Sequence, residues 1–171
     1  MSLKIIHTAD WHLGQTFFGY DRDEEHEAFL SWLIDILTLR QTDVLLIAGD
    51  VFDVANPSAA AQRRFFRFLR EANRHNPQLQ IVIIAGNHDS AARLEAPIPL
   101  LEELNTSIVG VVPRTDLCKI DFDSLLIPLY NKEGKREAIC LAVPYLRQGD
   151  YPASKEGKDT YVEGVTRMYR Q

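Results

Sequence analysis

Three short polar clusters could do chemistry: Asp10-Trp11-His12, Gly49-Asp50-Val51-Phe52-Asp53 and Gly86-Asn87-His88-Asp89. They offer carboxylates, imidazoles and an amide without a thiolate, a donor set that suits manganese, iron or zinc more than a soft metal. A carboxylate such as Asp50 can bridge two ions. Paired ions roughly 3.5–4 Å apart are a common device for in-line attack at phosphorus. Gly49 and Gly86 allow the sharp turns that bring side chains close to a ligand. Neither G-x-x-x-x-G-K-S/T nor G-x-G-x-x-G occurs, which removes nucleotide-loop chemistry, and there is no cysteine cluster for a structural zinc. Taken singly, D-x-H and G-D-x-x-D are common and often only cap a turn or a helix. An Asn-His pair after a buried strand has little structural purpose, and the three clusters together, in this order, read as a metal site.

The elements that must position these clusters can be read from apolar periodicity. Leu3 to Ala9 reads as a strand, and Asp23 to Arg40 as a helix with Phe29, Leu33, Ile36 and Leu37 at helical spacing and acids in its first turn. Val44 to Ala48 is a short branched aliphatic run, as expected of a buried strand. A helix from Ser58 to Arg74, a strand from Ile81 to Ala85 and a largely helical stretch from Ala91 to Leu104 follow. This alternation predicts an α/β fold opening on a parallel βαβαβ unit. Each cluster then follows a strand, at the carboxyl ends where open α/β sheets bind their ligands. Asp10, His12, Asp50, Asn87 and His88 are expected to converge there. Beyond residue 105 the pattern changes to short strands at Ile108 to Val112, Leu117 to Phe122, Leu125 to Leu129 and Ala138 to Val143, with loops at Asp123-Ser124 and Asn131 to Arg136. That half reads as more antiparallel. After a loop-like stretch from Pro144 to Lys158, a helix is expected to start near Asp159.

At 46% hydrophobic and 25% charged, the 171 residues can bury a sizeable core. No apolar run approaches the ~20 residues that span a bilayer, and no basic segment leads into an apolar one near the N-terminus. With only Cys118 and Cys140, a disulfide framework is not expected. These features predict a cytoplasmic protein without membrane association. A formal charge of −5 argues against nucleic-acid binding through bulk positive charge. It leaves phosphodiester chemistry open, because bound divalent ions reverse the sign locally.

D-x-H, G-D-x-x-D and G-N-H-D, with 40 residues from Asp10 to Asp50 and 37 from Asp50 to Asn87, resemble the calcineurin-like metallophosphoesterase superfamily. The longer strings HTADWHLGQ, LLIAGDVFD followed by NPSAAAQRRFFRFL, and IVIIAGNHDS resemble SbcD-type exonucleases within it. The resemblance implies a four-layer α/β/β/α sandwich of mixed sheets, two divalent ions with manganese (Mn2+) foremost, and metal-dependent hydrolysis of DNA phosphodiesters in repair and recombination. It implies that Asp10 and His12 hold the first metal, that Asp50 bridges both, and that Asn87 ligates the second. His88 would protonate the leaving group or stabilise the phosphorane. An SbcC-type ATPase subunit and a nuclease homodimer are the implied partners, with DNA as substrate.

The family completes its site with three more histidines, and none follows His88 here. Residues 1–171 are therefore expected to form the N-terminal part of one nuclease domain, inactive alone. Two rivals are a small-substrate phosphodiesterase or phosphatase with the same centre, and a binding or dimerisation module. Arg63, Arg67, Arg70 and Arg74 line one helix face, read first as a solvated face and second as a contact for DNA or a partner. His7, His26 and His75 read as ordinary, and Asp53 and Asp89 as residues that orient ligands or shape loops.

Overall fold

The computed structural model describes residues 2–117, 119–152 and 161–170. Cys118 and the expected helix start near Asp159 lie outside them. The chain runs β1 (Ile5–Thr8), β2 (Thr16–Phe17), β3 (Tyr20–Asp21), α1 (Asp23–Leu39), β4 (Val44–Ala48), α2 (Ala59–His75) and β5 (Gln80–Ile84). It continues through α3 (Ala91–Glu95), α4 (Ile98–Leu101), β6 (Thr106–Val109), β7 (Leu126–Tyr130), β8 (Arg136–Leu141) and α5 (Tyr161–Tyr169).

Four strands make one sheet in the order β1-β4-β5-β6, all parallel. β4 and β5 are aliphatic almost throughout because both faces are covered. Leu45, Ile47, Ile81 and Ile83 pack with Leu30, Leu33, Leu37, Phe65 and Leu69 of α1 and α2. Val44 and Val82, pointing the other way, pack with Leu125, Leu129, Ala142 and Met168, which belong to the β7–β8 side and α5. This is the period-two alternation of strands, with each face serving a different core. The fold is α/β: helices, a parallel sheet and a smaller antiparallel sheet in successive layers.

Ser58 starts α2, its Oγ accepting the Ala61 N–H at 3.1 Å. α1 and α2 are clasped by Arg64, a residue that no motif or spacing singles out. Its side chain is buried and meets Asp23 at 2.8 Å and Glu27 at 3.1 Å. On the outer face Arg67 reaches Glu27 at 3.4 Å, and Arg70 and Arg74 reach Glu71 at 2.9 and 2.8 Å. Much of the arginine stripe is thus matched by local carboxylates and exposed to water.

Several expectations need correcting. The segment from Ile108 does not open an antiparallel half: β6 joins the first sheet in parallel, because residues 91–104 serve as a crossover. That crossover is not one helix, since α3 ends before Pro97, which lacks an N–H, and a 3₁₀ turn over Glu102–Leu104 finishes it. Near the expected strand Leu117 to Phe122, the described residues form only an isolated antiparallel bridge between Arg114 and Ile120. Asp123–Leu125 is a 3₁₀ turn rather than a hairpin loop, while β7 and β8 do form a hairpin. No helix among the described residues is long and apolar enough to cross a membrane.

Candidate metal centre

Because β1, β4 and β5 are adjacent and parallel, the three clusters leave the sheet at the same edge. The loops after β1 and β4 prolong the strand pairing: the N–H groups of Asp10, His12 and Leu13 donate to the carbonyls of Gly49, Asp50 and Val51 at 3.2, 2.9 and 3.0 Å. Between the two candidate ligands, Trp11 turns the other way and is buried. Its ring meets Phe29, Phe65 and Phe68 edge-on at 5.7, 6.3 and 5.1 Å, and its Nε1–H donates to Thr8 Oγ1 at 3.0 Å. Trp11 thereby anchors the loop in the helical core and turns its neighbours Asp10 and His12 outward.

The backbone here is strained. Asp10, His12 and Asp50 adopt left-handed φ values of 55°, 47° and 47°. Such geometry costs on the order of 1–3 kcal/mol per residue and persists where the surroundings impose it, most often at functional sites. Asp50 also needs a neighbour without a side chain, since a Cβ on Gly86 would overlap its carboxylate and its backbone N. Asp89 locks these loops together. Its carboxylate is buried and accepts the N–H groups of Val51, Phe52 and Gly86 at 3.2, 3.0 and 2.9 Å.

Asp10, His12 and Asp50 each present a ligand atom, all within 4.8 Å of one another, and so do His12, Asp53 and His88. The two trios differ in how their donors are engaged. Asp53 Oδ1 already accepts from His12 Nδ1 at 3.1 Å and from Gln15 Nε2 at 3.3 Å. This fixes the His12 tautomer and leaves Nε2, 3.8 Å from Asp50 Oδ2, as the nitrogen open to a cation. Gln15 is in turn held by Arg22, whose Nη1 donates to its Oε1 at 2.9 Å. Neither Gln15 nor Arg22 was legible as a support, because loop residues carry no periodicity to flag them.

His88 is exposed beside these groups, its ring 4.9 Å from that of His12. Its backbone N–H donates to Asp50 Oδ1 at 2.9 Å, and its Nδ1 bonds the Asp53 carbonyl at 2.7 Å, which leaves Nε2 outward. The bond to that carbonyl holds the imidazole above its ordinary value, against the opposing effect of desolvation. The negative charges of Asp50, Asp53 and Asp89 push the same way as the bond. Asn87 lines a cleft of about 340 Å³ together with Asp10 and Asp50, walled on the far side by Tyr145, Tyr161 and Tyr169. The carboxylates, imidazole and amide gathered here fit a divalent ion of the manganese, iron or zinc kind.

The calcineurin-like phosphoesterase family matches residues 3–156, nearly the whole chain. The chain belongs to that family. Among phosphoesterases of this family, it is similar to proteins named as the SbcD component of the SbcCD nuclease. The one from Rhodobacter capsulatus is 48% identical over 163 residues, covering 95% of this chain and 40% of that protein. The one from Escherichia coli K12 is 35% identical over 158 residues, covering 91% of this chain and 36% of that protein. For Bacillus subtilis the identity is 39% over 122 residues, covering 71% and 31%. This phosphoesterase chain therefore spans 40% or less of the length of these relatives.

Proposed function

We propose that this chain is the N-terminal part of one nuclease domain, running over residues 1–171, in a metal-dependent enzyme that hydrolyses DNA phosphodiesters. The observation that carries this reading is the meeting of Asp10, His12 and Asp50 donors within 4.8 Å at the ends of adjacent strands, in a chain similar to named nuclease subunits. In this reading Asp10, His12, Asp50 and Asn87 hold two divalent ions, with manganese foremost. Bound ions of this kind supply Lewis acidity and lower the pKa of water.

The chain's own side chains do the rest. Asp53 keeps the Nε2 of His12 available, and Asp89 fixes the register of the Asp50 and Asn87 loops. His88, its Nδ1 tied to the Asp53 carbonyl, presents Nε2 to the departing sugar oxygen. The bond from Nδ1 to that carbonyl favours an imidazolium whose Nε2 proton can be given up there. By resemblance the full-length protein works as a homodimer with an SbcC-type ATPase. Composition and cysteine usage point to the cytoplasm, and without the three further histidines the 171 residues alone are inactive.

The test is to supply the full-length nuclease with manganese and offer it linear duplex DNA and a nitrophenyl phosphodiester in parallel. Manganese-dependent cleavage of DNA is the expected result. Turnover of the small ester without any DNA cleavage would replace the reading with a small-substrate phosphodiesterase.

A further inference from the structure

Directly after the His12 loop the chain makes a tight hairpin, β2–β3, whose exposed side chains are aromatic. Phe17, Phe18 and Tyr20 are 62%, 87% and 79% exposed, so their rings add little to the core that holds the hairpin. The turn residues Phe18 and Gly19 have φ of 48° and 84°, as a tight primed hairpin turn requires. Asn or Gly would fill the first turn position comfortably, whereas a bulky residue at positive φ is a genuine outlier. Phe17 and Phe18 also stand edge to face, with ring centroids 4.6 Å apart, so the tip presents a small aromatic surface.

The hairpin is tied to the metal centre. Gln15 at its base donates its N–H to the His12 carbonyl at 3.0 Å and its side-chain amide to Asp53 at 3.3 Å. Arg22 on the return strand closes the base, its N–H donating to the Gln15 carbonyl at 3.2 Å and its Nη1 to Gln15 Oε1 at 2.9 Å. Phe18 lies three residues past Gln15, so its Cα is at most about 11 Å away at ~3.6 Å per extended residue. A DNA strand advances about 3.4 Å per nucleotide along a duplex, so the tip reaches at most about three nucleotides from Gln15.

Resting on the nuclease reading above, we propose that the β2–β3 tip is a stacking platform for unpaired bases of a DNA end, a few nucleotides from the scissile phosphate. The chemistry points to base faces and not to phosphates: residues 13–21 contain no lysine or arginine, and Asp21, Asp23, Glu24 and Glu25 flank the single cation Arg22. Aromatic stacking tolerates any sequence, because every base has a π-face.

The experiment measures binding of a labelled single strand of about 12 nucleotides, within the site sizes usual for such proteins. It uses the full-length nuclease without manganese, at low and moderate salt. Phe17→Ala/Phe18→Ala/Tyr20→Ala is expected to bind about 5- to 150-fold more weakly, the range set by stacking energies of alanine series. The fold-change should be similar at both salt concentrations and the melting temperature unchanged. Phe17→Leu/Phe18→Leu/Tyr20→Leu, which keeps apolar area but no ring, should bind as weakly as the alanine variant. Unchanged affinity in the alanine variant overturns the proposal, as does a leucine variant that binds normally. Loss of self-association with intact DNA binding overturns it in favour of a protein interface. In a parallel assay with manganese added, failure of the unsubstituted nuclease to cleave DNA would instead sink the nuclease reading and the platform with it. Cleavage with unaltered binding in the variants sinks the platform alone.

Discussion

Gly86 and Asp50 are packed so closely that a single methyl group on Gly86 would occupy the space of the Asp50 carboxylate. The contact joins the ends of β4 and β5 at the point where two candidate ligand loops meet. Gly86→Ala should therefore displace Asp50 and act on metal binding more than on the fold. Overpacking of this kind costs about 1–3 kcal/mol, readable by urea denaturation. Manganese affinity, measured by titration calorimetry, should fall in parallel. Unaltered manganese affinity would show that Asp50 does not need its observed position.

Asp89 is a structural carboxylate beside the candidate ligand Asp50. Removing it in Asp89→Ala leaves three backbone N–H groups buried without an acceptor. Hydrogen bonds to charged groups are worth about 1.5–3 kcal/mol each, so a loss of about 3–5 kcal/mol is expected once partial relaxation is allowed for. Asp89→Asn, which keeps one acceptor oxygen, should lose less. Equal stability of the two variants in chemical denaturation would contradict this role.

Much of this arrangement was legible before any coordinates. β4 and β5 are unbroken branched runs because Val44, Leu45, Val82 and Ile83 are covered on both faces. The three clusters announce themselves because each follows such a strand or its neighbour. What could not be read is what depends on long-range contact. The parallel docking of β6 is invisible in its four residues, and the β2–β3 hairpin is too short to alternate. Arg64 resembles any surface charge until Asp23 and Glu27 are seen around it. Asp89 reads from the sequence as a residue that orients ligands or shapes loops, and only its partners Val51, Phe52 and Gly86 await the fold. Asp53 reads as a ligand-orienting residue, but Gln15 and Arg22 behind it are loop residues without periodicity, with Asp53 and Gln15 38 positions apart.

In the proposed centre Asp53 would act on the metal through its hydrogen bond to His12. Asp53→Ala frees the imidazole to rotate and to change tautomer, and loss of such a partner weakens metal binding by about 10–100-fold. Gln15→Leu should give a smaller loss in the same direction, because Asp53 keeps its bond to His12. Both are measured by manganese titration with the melting temperature as control. A larger effect from Gln15→Leu than from Asp53→Ala would reverse the proposed order of support.

His26 gives a pH-dependent contribution to stability. Burial lowers its pKa from the ordinary 6.5, helped by Arg22 and Arg64 and opposed by Asp23 and Glu25. Its Nδ1 is enclosed without a hydrogen-bond partner, so protonation there would bury an unpaired donor. The folded state thus binds this proton less readily than the unfolded chain. Stability should be full above pH 6.5 and decline as pH falls below it. Asp23, held low by its hydrogen bond to Arg64, loses its contribution only at more acid pH, below its ordinary 3.8. Thermal melts from about pH 7.5 to about pH 5 should show a decline that His26→Phe flattens. A variant with the same slope as the unsubstituted protein would place the titration elsewhere.

The most direct test separates holding the metal from using it, in the full-length nuclease. Metal content by elemental analysis and cleavage of linear duplex DNA are measured for Asp50→Ala and His88→Ala side by side. Asp50→Ala should lose metal and activity together. His88→Ala should keep its metal while turnover drops by about 10²–10⁴-fold, the usual worth of general acid–base assistance. Equal metal loss in the two variants, or full activity in His88→Ala, would contradict the assignment.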